Sequence, residues 1–429
     1  MPGRRIASLL LTCCLLGPGV VSAQWAGGMV SQPAASRSGS APPIWSQPGT
    51  ATMSRGGSLY EQQLPIDRGW NYEDTQLDRT LQNVVRNSWI RMEYLLWNTK
   101  APGDHLMGAK VLGVADPRLP FAVSVGGVQL GTATVPALDA IDLRDNNGGR
   151  MTLGIRLATG SLEASVYGFR GSVDYLIATE IGPADAGPTA GGGTPSLPKF
   201  ISTSTLTNGQ VGNNQLLYDK SYEAKYSSDL WGAEINFVRD SPSPGEGVKL
   251  QPVFGVRYFK VTEGLHQVGV FDGGFDGTVD LDPPLVSTIG SHVDNEIFAP
   301  QFGLRIELVH RWFSLAFEPR VAAGVNSYRA MVFTDQLTDF ADPRVTSSQA
   351  GHKIALVGDF RLSGKLRITE SVSLFVGYDL MIASGISRAH DNVYYNDNGE
   401  GTLPAIRVAP GFETMWWQGL AVGAEIRFR

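Results

Sequence analysis

Cysteine is almost missing from this sequence. Cys13 and Cys14 are its only two, and both fall inside the opening apolar stretch. Once that stretch is removed, no disulfide framework, thiol nucleophile or cysteine metal site remains, so stability has to come from packing and backbone pairing. Long apolar runs are missing too. Beyond the first two dozen positions no window stays apolar for the ~20 residues of a membrane helix, so any crossing of a bilayer must be made by a closed barrel. Positive charge is not in excess: 35 basic against 41 acidic side chains give a net charge of −6. A nucleic-acid partner is therefore not expected.

The motifs of chemistry are absent in the same way. The six histidines, at 105, 266, 292, 310, 352 and 390, read as loop or turn residues, and none opens an H-E-x-x-H. Asp272, Asp276, Asp280 and Asp282 crowd together, but Gly274 and Pro283 stand where a calcium loop needs ligands, and a solvated acidic loop is the expectation. Gly191–Gly193 precedes no helix and is no phosphate loop. A Ser-His hydrolase would need a histidine in mid-strand beside a serine on the same face, and the strands read below offer none. No catalytic residue, cofactor or metal is expected, and an enzyme is the least favoured class.

What is present begins with "MPGRRIASLLLTCCLLGPGVVSAQ". Arg4 and Arg5, a short apolar core and Val21-Ser22-Ala23 have the order of a signal peptide, 1–23, cut after Ala23. Thr12 is bulky for the position before a lipidated Cys13, so an acyl anchor is not expected. Residues 24–72 are rich in Pro, Ser and Gly and without period, a disordered leader. Leu77, Leu81, Val84 and Val85 then fall on one face at helical spacing, predicting a short helix over 73–88.

From residue 89 to 429 the period is two. It predicts ten strands, at 89–97, 150–158, 161–170, 230–239, 250–261, 297–309, 312–325, 353–367, 371–383 and 416–429, with twelve as the alternative count. The connections alternate long and short without exception. A meander with short turns at one end and long loops at the other is the organisation of outer-membrane barrels, with short periplasmic turns and long extracellular loops. The fold expected is therefore all-β, an antiparallel transmembrane β-barrel in the outer membrane of a Gram-negative-type bacterium.

Alternation alone does not say which face looks inward. Five strands carry opposite charges two residues apart: Arg91 with Glu93, Arg305 with Glu307, Glu318 with Arg320, Asp359 with Arg361, and Glu425 with Arg427. On a lipid face each would cost ~2–4 kcal/mol at the bilayer midplane, so in a barrel they line the lumen. A barrel of about ten strands is near the size that side chains can fill, so the lumen is expected to be narrow or closed. Trp89, Trp97, Trp231, Trp312, Trp416 and Trp417 sit near strand ends, where an aromatic girdle meets the headgroups.

Five stretches, "LWGAEINFVRD", "FGVRYFKVTEGL", "DNEIFAPQFGLRIE" with "VAAGVN", "VGYDLMIASGISRAHDNV" and the closing "WWQGLAVGAEIRFR", resemble the putative beta-barrel porin family seven, outer-membrane barrels typical of planctomycetes. The resemblance implies an outer-membrane barrel and brings no substrate and no catalytic residues. Barrels of this kind close on an aromatic residue that the barrel-assembly machinery reads; here Phe428 is penultimate and Arg429 is last. The function expected is porin-like, a narrow pore for ions or small solutes. The alternative is a non-conducting structural or surface-binding barrel that works through its long loops. The partners expected are outer-membrane lipid, the barrel-assembly machinery and unidentified small solutes.

Overall fold

The computed structural model describes residues 84–125, 128–179, 181, 198–242, 246–273, 281–398 and 403–428. The expected signal peptide, the leader and most of the expected helix lie outside these residues, as do Asp276, Asp280 and Gly191–Gly193; residues 84–86 are helical. In chain order the strands are β1 (Ser88–Thr99), β2 (Phe121–Val125), β3 (Val128–Thr134), β4 (Asn146–Leu157), β5 (Gly160–Thr179), β6 (Lys199–Thr207), β7 (Gln210–Tyr218), β8 (Ser221–Arg239), β9 (Gly247–Phe271), β10 (Leu285–Val309), β11 (Phe313–Asp335), β12 (Val345–Arg367), β13 (Val372–Ser387), β14 (Val393–Tyr394), β15 (Asn396–Asp397), β16 (Arg407–Val408) and β17 (Phe412–Arg427).

Ten of them close a barrel in the order β1-β17-β13-β12-β11-β10-β9-β8-β5-β4, and each neighbouring pair is antiparallel. The count is ten, not twelve. The other seven strands lie in the long connections. There β15, β6, β3 and β2 form a sheet with β7 attached to β6, and β14 pairs with β16. Leu157 to Gly160, Val309 to Phe313 and Arg367 to Val372 are joined by tight turns at the end where the chain both enters β1 and leaves β17.

Several strands outrun their sequence-predicted limits at the loop end. β9 and β10 have 25 residues each, so most of the segment 262–296, expected to be loop, is wall. His266, His292 and His352 are consequently strand residues rather than loop residues. The sequence pattern fades there for a physical reason. On β10 the outward positions change from Phe298, Phe302 and Leu308 to His292, Asp294 and Glu296, while small or apolar residues continue inward. Polar residues outside and modest ones inside look like a loop in one dimension.

The same change marks the membrane. Lys260, Glu296, Ser327 and His352 are consecutive register partners across β9 to β12 and form a polar row. The next row toward the turns is Tyr258, Phe298, Val325 and Ile354, and the outward face remains apolar from there to Leu308, Leu315 and Leu366. At a rise of about 3.3 Å per residue and a tilt of about 40°, Phe298 to Leu308 climbs roughly 25 Å, the height of an outer-membrane apolar band. Exposed apolar residues such as Met92, Leu153, Val376 and Val422 continue the band around the barrel.

Candidate functional site

The site is the lumen. Residues two apart on a strand point the same way, so the strands that turn Phe302 and Leu362 to lipid turn Arg305, Arg320 and Asp359 inward. There the charges assemble into two four-membered rings. In one, Glu234 of β8 accepts from Arg257 of β9 at 2.8 Å and from Arg320 of β11 at 2.9 Å. Asp359 of β12 accepts from Arg320 at 2.7 Å and also from Arg257. In the other, Glu93 of β1 accepts from Arg150 of β4 at 3.1 Å and from Arg361 of β12 at 2.7 Å. Asp379 of β13 closes it, at 2.9 Å from each guanidinium.

Two further clusters lie beside these rings. Arg305 donates to both carboxylate oxygens of Glu163 at 2.8 Å and to Glu318 at 2.5 Å, and Glu318 lies 3.6 Å from Arg320. Glu425 takes Arg91 at 2.7 Å, Lys365 at 3.1 Å and Arg427 at 3.1 Å. β9 and β12, β8 and β11, β4 and β13, and β5 and β10 are not neighbours in the wall, so their bonds cross the interior. The acids Glu93, Glu163, Glu234, Glu318, Asp359, Asp379 and Glu425 are matched by Arg91, Arg150, Arg257, Arg305, Arg320, Arg361 and Lys365. Arg427 on Glu425 is an eighth cation and Glu307, on the inward parity of β10, an eighth acid, so the charges cancel and leave little net field to select ions of either sign.

Nine of the ten sequence-predicted charges take part, in contacts within a strand, between neighbouring strands and across the lumen. Arg91–Glu93 at 3.7 Å, Arg320–Glu318 at 3.6 Å and Arg427–Glu425 at 3.1 Å are in direct contact. Asp359 and Arg361 do not pair with each other; each pairs across the lumen. Glu307 makes no ion pair among the described residues. Side chains two apart on a strand run parallel, whereas those from opposing walls meet end to end. Sequence reasoning missed Glu163, Glu234, Arg257, Arg150, Asp379 and Lys365. None has an opposite charge two residues away on its own strand, so the two-residue spacing did not mark them; the available signal was a charge at an inward-parity position.

Above the charges the filling becomes aromatic. Trp97 and Trp417, expected in a girdle at the headgroups, are instead buried inside the barrel at 2% and 0% exposure. Trp97 and Trp417 follow the inward parity of Glu93 and Glu425, and that parity outweighs a tryptophan's affinity for the interface. Trp231 and Trp312 do face outward. The rings of Phe259 on β9 and Trp417 on β17 meet edge to face at 6.3 Å. These strands stand five places apart in a ring of ten, so this contact spans the whole lumen. Trp97 packs on Tyr167 and Phe169 beside it.

A third layer comes from the chain itself. β13 pairs with β12 only as far as Ala383, opposite Val357; Gly385 then adopts φ +73° and the chain turns inward. Asn295 and Asn326 hold it there by side-chain bonds to the backbone of Ser387 and Gly385, at 2.8–2.9 Å. Arg388, fully buried, reaches Glu263 of β9 at 2.7 Å and Glu413 at 2.8 Å. His390 contacts Tyr226 of β8 at 3.1 Å and packs on His105 from the first long connection. Burial, and then the charge of Arg388, hold His390 down to about 2, and burial lowers His105 in the same direction. Burial raises Asp391. Met107, Leu138, Ile141, Leu143 and Tyr395 from the connections pack against Ile289, Val293, Ala330 and Val332 of the wall, which seats the cap in the barrel mouth.

On the outer face Ser327 Oγ and His352 Nδ1 lie 3.0 Å apart. This differs from the sequence-based expectation of no serine beside a mid-strand histidine, because the two are register partners on separate strands, β11 and β12. Among the described residues His352 makes no ion pair with a carboxylate, so the third member of a triad is not beside it.

No curated protein matches the chain. Similar solved structures include the outer membrane protease OmpT from Escherichia coli, at 11% identity over 80% of this chain and 97% of that one, with a TM-score of 0.41. Another is the toluene transporter TodX of Pseudomonas putida, at 8% identity over 82% and 91%, with a TM-score of 0.20. The profile of the putative beta barrel porin-7 family matches residues 89–428, and with that span matched the chain belongs to this family of outer-membrane β-barrels.

Proposed function

We propose that this protein is an outer-membrane barrel closed at rest, and that its working part is the loop-built cap it holds at the cell surface. The observation that carries this reading is the Phe259–Trp417 contact across the full width of the lumen. It lies above a charge network that is balanced and mostly buried. A water column does not pass a layer of interlocked rings, and a neutral network neither attracts nor sorts ions. The test is single-channel recording of the refolded chain in planar bilayers. Silence is expected; steady conductance in the parent overturns the reading.

The porin description of the family favours a second reading, a narrow pore for ions or small solutes that opens when the cap moves. Trp417→Ala with Phe259→Ala removes the ring contact. If only this variant conducts, the rings are the gate of a pore; if both stay silent, the barrel is a support. On either reading the barrel performs no catalytic step and uses no cofactor. It reaches the membrane by export with cleavage after Ala23 and insertion by the barrel-assembly machinery. Amino-terminal sequencing of the mature protein should then begin at Gln24.

A further inference from the structure

On its outside the wall formed by β10 to β13 is not flush. Phe302, Val321, Gly358 and Ile382 occupy consecutive register places across the four strands. Gly358 has no side chain and Ala323, one row above, has a methyl group. Phe302, Leu356 and Ile382 stand up around them, and an open groove of about 560 Å³ results. It lies inside the apolar band, where a hollow left empty forfeits its dispersion contacts.

The upper end of the groove is the seam where β13 leaves β12 to turn inward. Leu356 and Ser384 form that end, and Leu356 N–H donates to Ser384 Oγ at 3.2 Å. Just above the seam the surface becomes basic. Arg329 and His352 point outward from β11 and β12, and Lys353 stands exposed beside Gly385. Among the described residues none of the three makes an ion pair within 4 Å. Arg329 leaves its register partner Asp294 to Lys260. Arg329 and Lys353, two cations outside any ion pair, thus crown an apolar groove at the level where hydrocarbon gives way to headgroups; Lys353 Nζ lies 5.0 Å over the Phe412 ring, and His352 beside them keeps its bond to Ser327.

Two occupants are compatible with hydrocarbon: a lipid chain or the wall of a second barrel. The protruding Phe302 and Leu356 keep a broad wall from reaching the floor at Gly358, while a single flexible chain can lie along it. A second copy would bring the same basic cluster, whereas an anionic headgroup neutralises it. We propose that the groove binds one acyl chain of an anionic phosphate-bearing lipid, whose headgroup is held by Arg329, His352 and Lys353. Such a lipid would close the seam that the inward turn of β13 opens.

The refolded full chain, stripped of lipid in detergent, is titrated with dioleoyl phosphatidylglycerol or dioleoyl phosphatidylcholine, and retained lipid is counted by native mass spectrometry. One phosphatidylglycerol is expected to remain, preferred about tenfold over phosphatidylcholine. Gly358→Leu fills the groove; an added Cβ there meets only the Phe360 ring, at 3.4 Å, so folding is preserved. It should lose the bound lipid while keeping the parent's heat-modifiable gel mobility. Lys353→Glu with Arg329→Glu should lose the headgroup preference but still retain a lipid. Unchanged retention in Gly358→Leu overturns the proposal. So does a parent that holds no lipid, or a dimer that Gly358→Leu disperses.

Discussion

Two guanidinium groups converge on Glu234, those of Arg257 and Arg320, and all three side chains are at most 6% exposed. Removing one partner of a buried pair strands the charges left behind, at a cost of ~3–5 kcal/mol. Glu234→Ala is therefore expected to lower the urea midpoint of the refolded barrel in lipid vesicles by an amount equivalent to that range. Glu307→Ala, without an ion pair to break, should stay within ~1 kcal/mol of the parent. Equal midpoints for the two variants would mean that the network is solvated. The contrast also shows what the sequence made legible. It told which residues face inward, because parity is a property of one strand. It did not tell which charges meet, because Arg257 and Asp359 are brought together only by closure of the ring.

The strands are elements whose existence a period of two announces, and all ten were legible. Their loop-side ends were not, because a wall that leaves the lipid loses its apolar outer face. The strand read over 371–383 stops where β13 leaves β12, but its period does not say where the chain goes next, so the inward turn at Gly385 was not legible. Its φ of +73° suits glycine, and an added Cβ would sit 2.5 Å from the carbonyl oxygen of Ile354. Gly385→Ala should therefore leave the barrel heat-modifiable but release the cap. Faster cleavage at the cap by added trypsin in intact cells would report this, and parent-like resistance would count against the turn's role. The direction of the strands has its own test. Asp339→Cys, exposed between β11 and β12, should label from outside intact cells, while Arg311→Cys, in the turn between β10 and β11, should not. Reversed labelling would invert the barrel.

For the whole molecule, the cap and the barrel are joined through a histidine that acid should unsettle. His390 is 4% exposed, and the groups around it are Tyr226 of β8, Glu263 of β9, Arg388 and Asp391 of its own segment, Glu413 of β17, and Lys100 and His105 of the first connection. Folded, it stays neutral down to about 2; released, it titrates near ~6.5. Below that value the released cap binds a proton that the seated cap refuses. The stability of the seat therefore falls as pH drops, by up to ~1.4 kcal/mol per pH unit for one such histidine. His105 is displaced the same way and adds to the slope. Asp391 is displaced upward and opposes it only as the pH enters the carboxylate range, so the useful window runs from roughly pH 7.5 to 5.5. Hydrogen exchange of cap amides should accelerate across that window, beyond the intrinsic pH effect, while the amides of the apolar band do not. His390→Gln keeps a hydrogen-bonding side chain and removes the titration, so it should flatten most of the slope. If the slope survives in His390→Gln, the acid response belongs to His105 or to the lumen charges, and His390 is only a packed residue of the seat.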